Sequence, residues 1–182
     1  MKIAIGTPEY GVIKTKTVDT LLRMTKLPYE FIHIFRYGAY ISENKEEIIK
    51  IALEQKCDYL FFVDYDIIFN YILLQELLDE EKDIIGGMYN YRKLPKEPMI
   101  KLFPDTKASK DTFKVAALGG GCLLVKTDVF RKMGKPYFPM EYKDGKVVCT
   151  EDIGFCEKAR KSGYDIWCYP KHNIKHIGEF NF

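Results

Sequence analysis

The run Tyr59-Leu60-Phe61-Phe62-Val63 is apolar throughout and closes on Asp64-Tyr65-Asp66. An unbroken apolar run of this length, bounded by acids, reads as a strand buried on both faces of a sheet. Such a strand delivers two carboxylates, two residues apart, to a sheet edge. In an extended chain residues i and i+2 point the same way, so both carboxylates can converge on one cation. A divalent ion held there could in turn hold a diphosphate. At this aspartate content a chain of this length contains roughly one D-x-D by chance, so the motif gains its meaning from context.

The context is an alternation of strand and helix. Lys2 to Gly6 reads as a short buried strand, followed by a loop at Thr7-Pro8-Glu9-Tyr10-Gly11. Val18, Leu21, Leu22 and Thr25 fit one helix face, and Tyr29 to Phe35 alternates as a second strand. Ser42 is placed as an N-cap for a helix whose apolar stripe is Ile48, Ile49, Ala52 and Leu53. Tyr59 to Val63 is the third strand and Ile72 to Leu78 the next helix. This β-α-β-α-β order predicts a parallel, nucleotide-binding half-domain, in which ligands sit beyond the carboxyl ends of the strands. Thr7, Pro8, Glu9, Asn44 and the segment Asp64, Tyr65, Asp66 fall at that edge, and Arg36 follows the second strand within reach of a base or phosphate. They are candidate nucleotide contacts.

The second half carries a different pattern. Asp83 to Tyr91 reads as a strand broken by Gly86-Gly87, and Pro95 to Asp111, with three prolines, as loop with short strand pieces. Phe113 to Leu118 and Cys122 to Val125 are strands flanking Gly119-Gly120-Gly121. Thr127 is placed as the cap of a short helix. Pro136 to Gly145 is an aromatic and charged loop, a candidate lid. A helix runs from Thr150 to Ser162 and stops at Gly163, and Tyr164 to Tyr169 is the last strand. No linker divides the chain, which is read as one domain, 1–182.

Composition narrows the class. A chain that is 47% hydrophobic and 14% aromatic is not disordered. A net charge of +2 argues against a dedicated nucleic-acid binder but leaves room for local anion sites. Cys57, Cys122, Cys149, Cys156 and Cys168 include no C-x-x-C pair, which disfavours a zinc ribbon and suggests buried, reduced thiols. The N-terminal apolar run is too short for a signal peptide and no stretch suits a membrane span. A soluble, cytoplasmic protein is expected.

Four segments together, in order, resemble the GT-A nucleotide-sugar glycosyltransferases, and more specifically their small family-2-like members, including single-domain phage and viral enzymes. These are Ile3 to Pro8; Asn44 ahead of Asp58 to Asp66; Gly119-Gly120-Gly121-Cys122-Leu123-Leu124-Val125; and Thr150-Glu151-Asp152-Ile153-Gly154-Phe155-Cys156, followed by Gly163-Tyr164 and His176-Ile177-Gly178. The resemblance implies an α/β GT-A fold: a Rossmann-like nucleotide-binding half with a mixed, mainly parallel central sheet flanked by helices. It implies a hexosyltransferase-type enzyme that moves a sugar from a nucleoside-diphosphate sugar, UDP-sugar first, to a hydroxyl on a glycan, protein or lipid-linked sugar.

The resemblance also distributes roles. Asp66 meets a Mn²⁺ or Mg²⁺ ion, and Asp64 meets the ribose or metal-bound water. His176 returns to the metal, with His172 as a rival. If the reaction inverts, Asp152 is its general base, a role that a retaining reaction would dissolve, and Glu151 binds or orients the acceptor; first-turn acids also simply complement a helix dipole. Gly120 and Gly121 line the sugar pocket through their backbone, or make a plain turn. Arg92 meets phosphate or acceptor, or only solvent. Tyr137, Phe138, Tyr142 and Trp167 are read as core or lid packing. Two other readings stay open: a non-catalytic nucleotide- or sugar-binding module of the same fold, and a sugar nucleotidyltransferase. The latter would carry a Gly-rich basic loop where this chain has Thr7-Pro8-Glu9-Tyr10-Gly11.

Overall fold

The first strand does not end at Gly6. It stays extended through Thr7, Pro8 and Glu9, which lie in register with Phe35, Arg36 and Tyr37 of its parallel neighbour. The segment expected to be a loop is therefore strand, because the second strand is long enough to pair with it. In the computed structural model, which describes residues 1–178, the first half runs β1 (Lys2–Glu9), α1 (Thr15–Met24), β2 (Glu30–Tyr37), α2 (Ile41–Glu54), β3 (Tyr59–Val63), β4 (Ile67–Ile68), α3 (Leu73–Asp79) and β5 (Ile84–Gly87). The second half runs β6 (Ile100–Lys101), β7 (Phe113–Val115), β8 (Ala117–Leu118), β9 (Cys122–Lys126), α4 (Thr127–Met133), β10 (Glu141–Lys143), β11 (Lys146–Cys149), α5 (Glu151–Lys161), β12 (Ile166–Tyr169) and β13 (Lys175–His176).

The central sheet has seven strands in the order β2-β1-β3-β9-β5-β12-β7. The pairings make β2, β1, β3, β5 and β12 run one way, with β9 and β7 against them. The sheet is mixed and mainly parallel. Its central strands β3, β9 and β5 are buried almost end to end because both faces are covered. Leu60 and Phe62 pack on one side with α2, α4 and α5, through Ile48, Ile49, Phe130 and Phe155. Phe61 and Val63 pack on the other with α1 and α3, through Leu21, Met24, Leu73 and Leu77.

Several local expectations change. The buried face of α1 is Thr17, Thr20, Leu21 and Met24, while Val18 and Leu22 are exposed. Thr20 hides its hydroxyl by donating to the carbonyls of Lys16 and Phe69. Ser42 lies inside α2, whose N-cap is Tyr40 with no side-chain bond. Thr127 opens α4 but donates to the Cys57 carbonyl at 2.6 Å, tying the helix to the start of β3. The stretch Phe113 to Leu118 is two strands, β7 in the main sheet and β8 paired with β6. The expected lid divides: Tyr137 and Phe138 belong to the core, while the hairpin β10-β11 is exposed up to Cys149. All five cysteines are buried and free. Among the described residues no helix is long and apolar enough to cross a membrane.

Gly154 shows how tightly α5 is seated. A Cβ there would run into the backbone carbonyl oxygen of Pro139, and backbone cannot swing aside. Gly154→Ala is expected to cost about 1–3 kcal/mol and to lower Tm by about 5 °C, read by thermal melting. An unchanged Tm would mean that the helix can lift off Pro139 freely.

Candidate active site

Strand parity carries Asp64 to the α2 and α5 side of the sheet, following Leu60 and Phe62. Its backbone N–H donates to the Gly121 carbonyl at 3.0 Å, because β9 begins where β3 ends. Beyond Asp64 the chain turns, with Ile67 N–H donating to the Asp64 carbonyl at 3.1 Å. The two aspartates are thus not residues i and i+2 of one extended strand. The turn gives each its own set of partners.

Around Asp64 the organising group is Lys45, which the sequence reading did not single out. It is 1% exposed, and its ammonium lies 2.5 Å from Asp152 Oδ1, 3.3 Å from Glu151 Oε1 and 4.9 Å from the centre of the Phe138 ring. Burial pulls its pKa down, but Asp152, Asp64 and Glu151 outweigh that and leave it raised. Lys45 therefore stays a cation. Asn44 and Glu46, about 100° to either side on the helix, do other work. Asn44 Nδ2 donates to the Gly38 carbonyl at 3.3 Å, and Glu46 accepts from the N–H groups of Tyr137 and Phe138. Gly120 and Gly121 form the floor. A Cβ on Gly120 would strike Asp152 Oδ1 and come within 2.9 Å of the Lys45 ammonium, and one on Gly121 would lie 2.6 Å from Asp64 Oδ2. Only glycines let this backbone pass beneath the charged cluster.

Asp66 is almost fully buried and belongs to a second cluster. Arg92 donates to its Oδ2 at 2.7 Å, and His176 Nε2 lies 3.4 Å from its Oδ1. His176 is placed by β13, whose pairing with β4 sets it opposite Ile67. Its Nδ1 is 3.1 Å from the Asn90 carbonyl, a contact that requires Nδ1–H. Nε2 then faces a carboxylate oxygen and needs either a proton or a cation between them. His172 is elsewhere, 2.9 Å from Glu76. Tyr89 stands between the two clusters. Its hydroxyl accepts from Gly121 N–H at 2.9 Å, and its ring meets His176 edge-on at 5.3 Å.

The remaining expected nucleotide contacts flank the first cluster. Thr7 is buried with its Oγ1 lacking a partner, and Pro8 is buried beside it. Glu9 offers its carbonyl to Asn44 at 3.5 Å. Arg36 is held by Glu47 at 3.2 Å and by the Phe35 carbonyl. Tyr65 packs edge-on against half-exposed Tyr10.

No family model matches the chain, and no curated protein matches it in sequence. Solved structures do match its fold. A197 from STIV superposes with a TM-score of 0.74 at 17% identity, covering 98% of this chain and 87% of its own. GalNAc-T7, crystallised with UDP, GalNAc and Mn²⁺, gives 0.58 at 11% identity over 98% of this chain and 44% of its own. TarS 1-349 from S. aureus gives 0.54 at 14% identity over 93% and 60%. Glycosyltransferases of the GT-A class are thus among its structural neighbours. The chain has the GT-A fold. It spans under half of the GalNAc-T7 chain and about three-fifths of the TarS one.

Two features of this GT-A sheet edge bear on a metal. Among the described residues no group of three or more His, Cys, Asp or Glu is arranged to hold one ion. Asp66 and His176 do fit as a pair. Cis ligands of an octahedral divalent ion are about 3 Å apart, close to the 3.4 Å between Oδ1 and Nε2, and a bound histidine commonly donates its other N–H to a carbonyl.

Asp64 is distinguished differently. Its Oδ1 is buried without a partner. Burial pushes its pKa up, Lys45 opposes this, and Asp152, Asp66 and Glu151 add to it, leaving it at about 6. A carboxyl raised in the folded state binds a proton that the unfolded chain has released, so stability falls as pH rises from about 4 to 6. Asp64→Asn, in metal-free protein, is expected to remove this slope and gain on wild type across that window. Urea unfolding at pH 4 and pH 7 measures it; a constant gap between the two proteins would refute the raised pKa.

Proposed function

We propose that this GT-A domain is a metal-dependent glycosyltransferase that moves a sugar from a nucleoside-diphosphate sugar, UDP-sugar first, to an acceptor hydroxyl with inversion. The observation that carries this reading is the pairing of two clusters at one sheet edge. Asp66 and His176 meet on one side of Tyr89, and Asp64, Asp152 and Glu151 gather around Lys45 on the other.

In this reading Asp66 and His176 hold Mn²⁺ or Mg²⁺, which when bound offsets the charge on the leaving diphosphate. Arg92, already on Asp66, adds a fixed positive charge beside it. Asp64, with Thr7, Pro8, Glu9, Asn44 and Arg36, faces the nucleoside. Lys45 occupies Asp152 Oδ1 and leaves Oδ2 to receive the acceptor proton. The acceptor oxygen then bonds to the anomeric carbon as the bond from that carbon to phosphate oxygen breaks. Glu151, on the same ammonium, orients the acceptor, and the Gly120-Gly121 backbone leaves room for the sugar. A nucleotidyltransferase reading draws on another fold neighbour, the inositol-1-phosphate CTP transferase from T. maritima, with a TM-score of 0.56 at 11% identity. Here β1 continues through Thr7-Pro8-Glu9, with no Gly-rich basic loop after Gly6.

Calorimetry with UDP, GDP, CDP and CTP, each with and without Mn²⁺, tests the proposal. UDP is expected to bind at least tenfold more tightly with Mn²⁺, and His176→Ala to abolish that gain. Binding of no diphosphate under either condition would overturn the reading, and a preference for CTP would favour nucleotidyl transfer.

A further inference from the structure

A cleft of about 930 Å³ opens beside the Asp66 cluster, and its lining includes Tyr65, Arg92 and His176 but not Asp152, Glu151 or Lys45. Its charge is one-sided. Lys14, Arg92, Lys93, Lys96, Lys175 and His176 line it, and no aspartate or glutamate does. In a chain with 28 basic and 26 acidic residues, an all-basic lining is a local arrangement and not a reflection of composition.

These cations come from three separate parts of the chain: the approach to α1, the loop after Asn90, and β13. Their partners differ. Arg92 is committed to Asp66 and Lys93 to Glu97 at 2.5 Å. Lys96 and Lys175 make no ion pair with any described residue, and both are exposed. Apolar walls at Val12, Leu94, Ile174 and Ile177 complete the lining. Low-dielectric walls around like charges concentrate the field on a bound anion. The donor's diphosphate would already be matched at one border of this cleft by the ion on Asp66 and His176 and by Arg92, so Lys96 and Lys175 are surplus to it.

We propose that the cleft takes the phosphate of a phosphate-bearing sugar acceptor, with Lys96 and Lys175 as its principal contacts. This rests on the glycosyltransferase reading and names the acceptor class for it. Apolar walls beside a cationic rim suit a sugar ring carrying a phosphomonoester, with the ring on the walls and the phosphate on the lysines.

The test uses the full chain saturated with UDP and Mn²⁺, so that the donor site is filled, and titrates glucose 6-phosphate against glucose. Glucose 6-phosphate is expected to bind at least tenfold more tightly than glucose, without displacing UDP. Lys96→Gln with Lys175→Gln is expected to remove about a tenfold preference and leave UDP affinity unchanged. Equal affinity for the two sugars, displacement of UDP by glucose 6-phosphate, or a double variant that weakens UDP alone would each overturn the proposal. If UDP does not bind at all, the glycosyltransferase reading fails on that result. The same titration without nucleotide then still decides whether the cleft selects a sugar phosphate.

Discussion

Lys45→Met is expected to destabilise the protein by about 3–5 kcal/mol at pH 7. The side chain is buried to 1%, and its loss strands Asp152 and Glu151 in the space they now share with an ammonium. It also removes the cation that moderates Asp64. Asp64, already raised to about 6 with Lys45 opposing the shift, would be pushed higher still and would favour its protonated form when folded. The penalty should therefore be full at neutral pH and fade as pH falls toward 4. Chemical unfolding at pH 7 and pH 4 reads both the size and the sign. The double variant Lys45→Met, Asp152→Asn removes a charge of each sign and should recover about 1–3 kcal/mol of the loss. A single variant within 1 kcal/mol of wild type would show that the ion pair contributes little.

The second large effect concerns turnover. Asp152→Asn keeps the shape of the side chain but cannot take a proton, so kcat for sugar transfer should fall by about 10²–10⁴. Lys45 keeps Glu151 as a partner and Gly120 still clears the side chain, so the fold should persist. Nucleotide binding draws on other residues and should stay within about twofold of wild type. The comparison is donor consumption, with and without acceptor, alongside UDP calorimetry on the same samples. A variant that loses UDP binding as well would move Asp152 from base to structural support. Product with retained anomeric configuration would remove the base role.

Much of the frame was legible because burial on both faces leaves its mark in apolar runs: Tyr59 to Val63, and the helical stripe Ile48, Ile49, Ala52. The misreadings have physical causes. Thr17 and Thr20 disguise the buried face of α1: Thr20 hides its hydroxyl against the Lys16 and Phe69 carbonyls, while Thr17 is buried with its Oγ1 lacking a partner. The Asp64-Tyr65-Asp66 spacing carries no sign of the turn that begins at Asp64. Lys45 did leave a trace: Lys45, Ile48, Ile49 and Ala52 are spaced i, i+3, i+4, i+7. A lysine on an apolar stripe is a buried cation in need of acids, and those acids lie more than a hundred residues away in Glu151 and Asp152. Tyr89 offered no such trace beyond its place after Gly86-Gly87. Nor does an apolar run reveal its direction, so the reversal of β9 could not be read from Cys122 to Val125.

That reversal governs when the site can come into being. Because β9 runs against β3, its first residue lies beside the last residue of β3, and the Gly120-Gly121 backbone reaches Asp64 only through a contact spanning more than fifty residues. Asp152 and His176 arrive later still. A nascent chain that has made the β-α-β-α-β half holds both aspartates but neither of their completed surroundings, and Lys45 has no acid from α5 to pair with. Long-range closures of this kind come late and slowly. The charged centre thus closes only once the second half of the chain has joined the first.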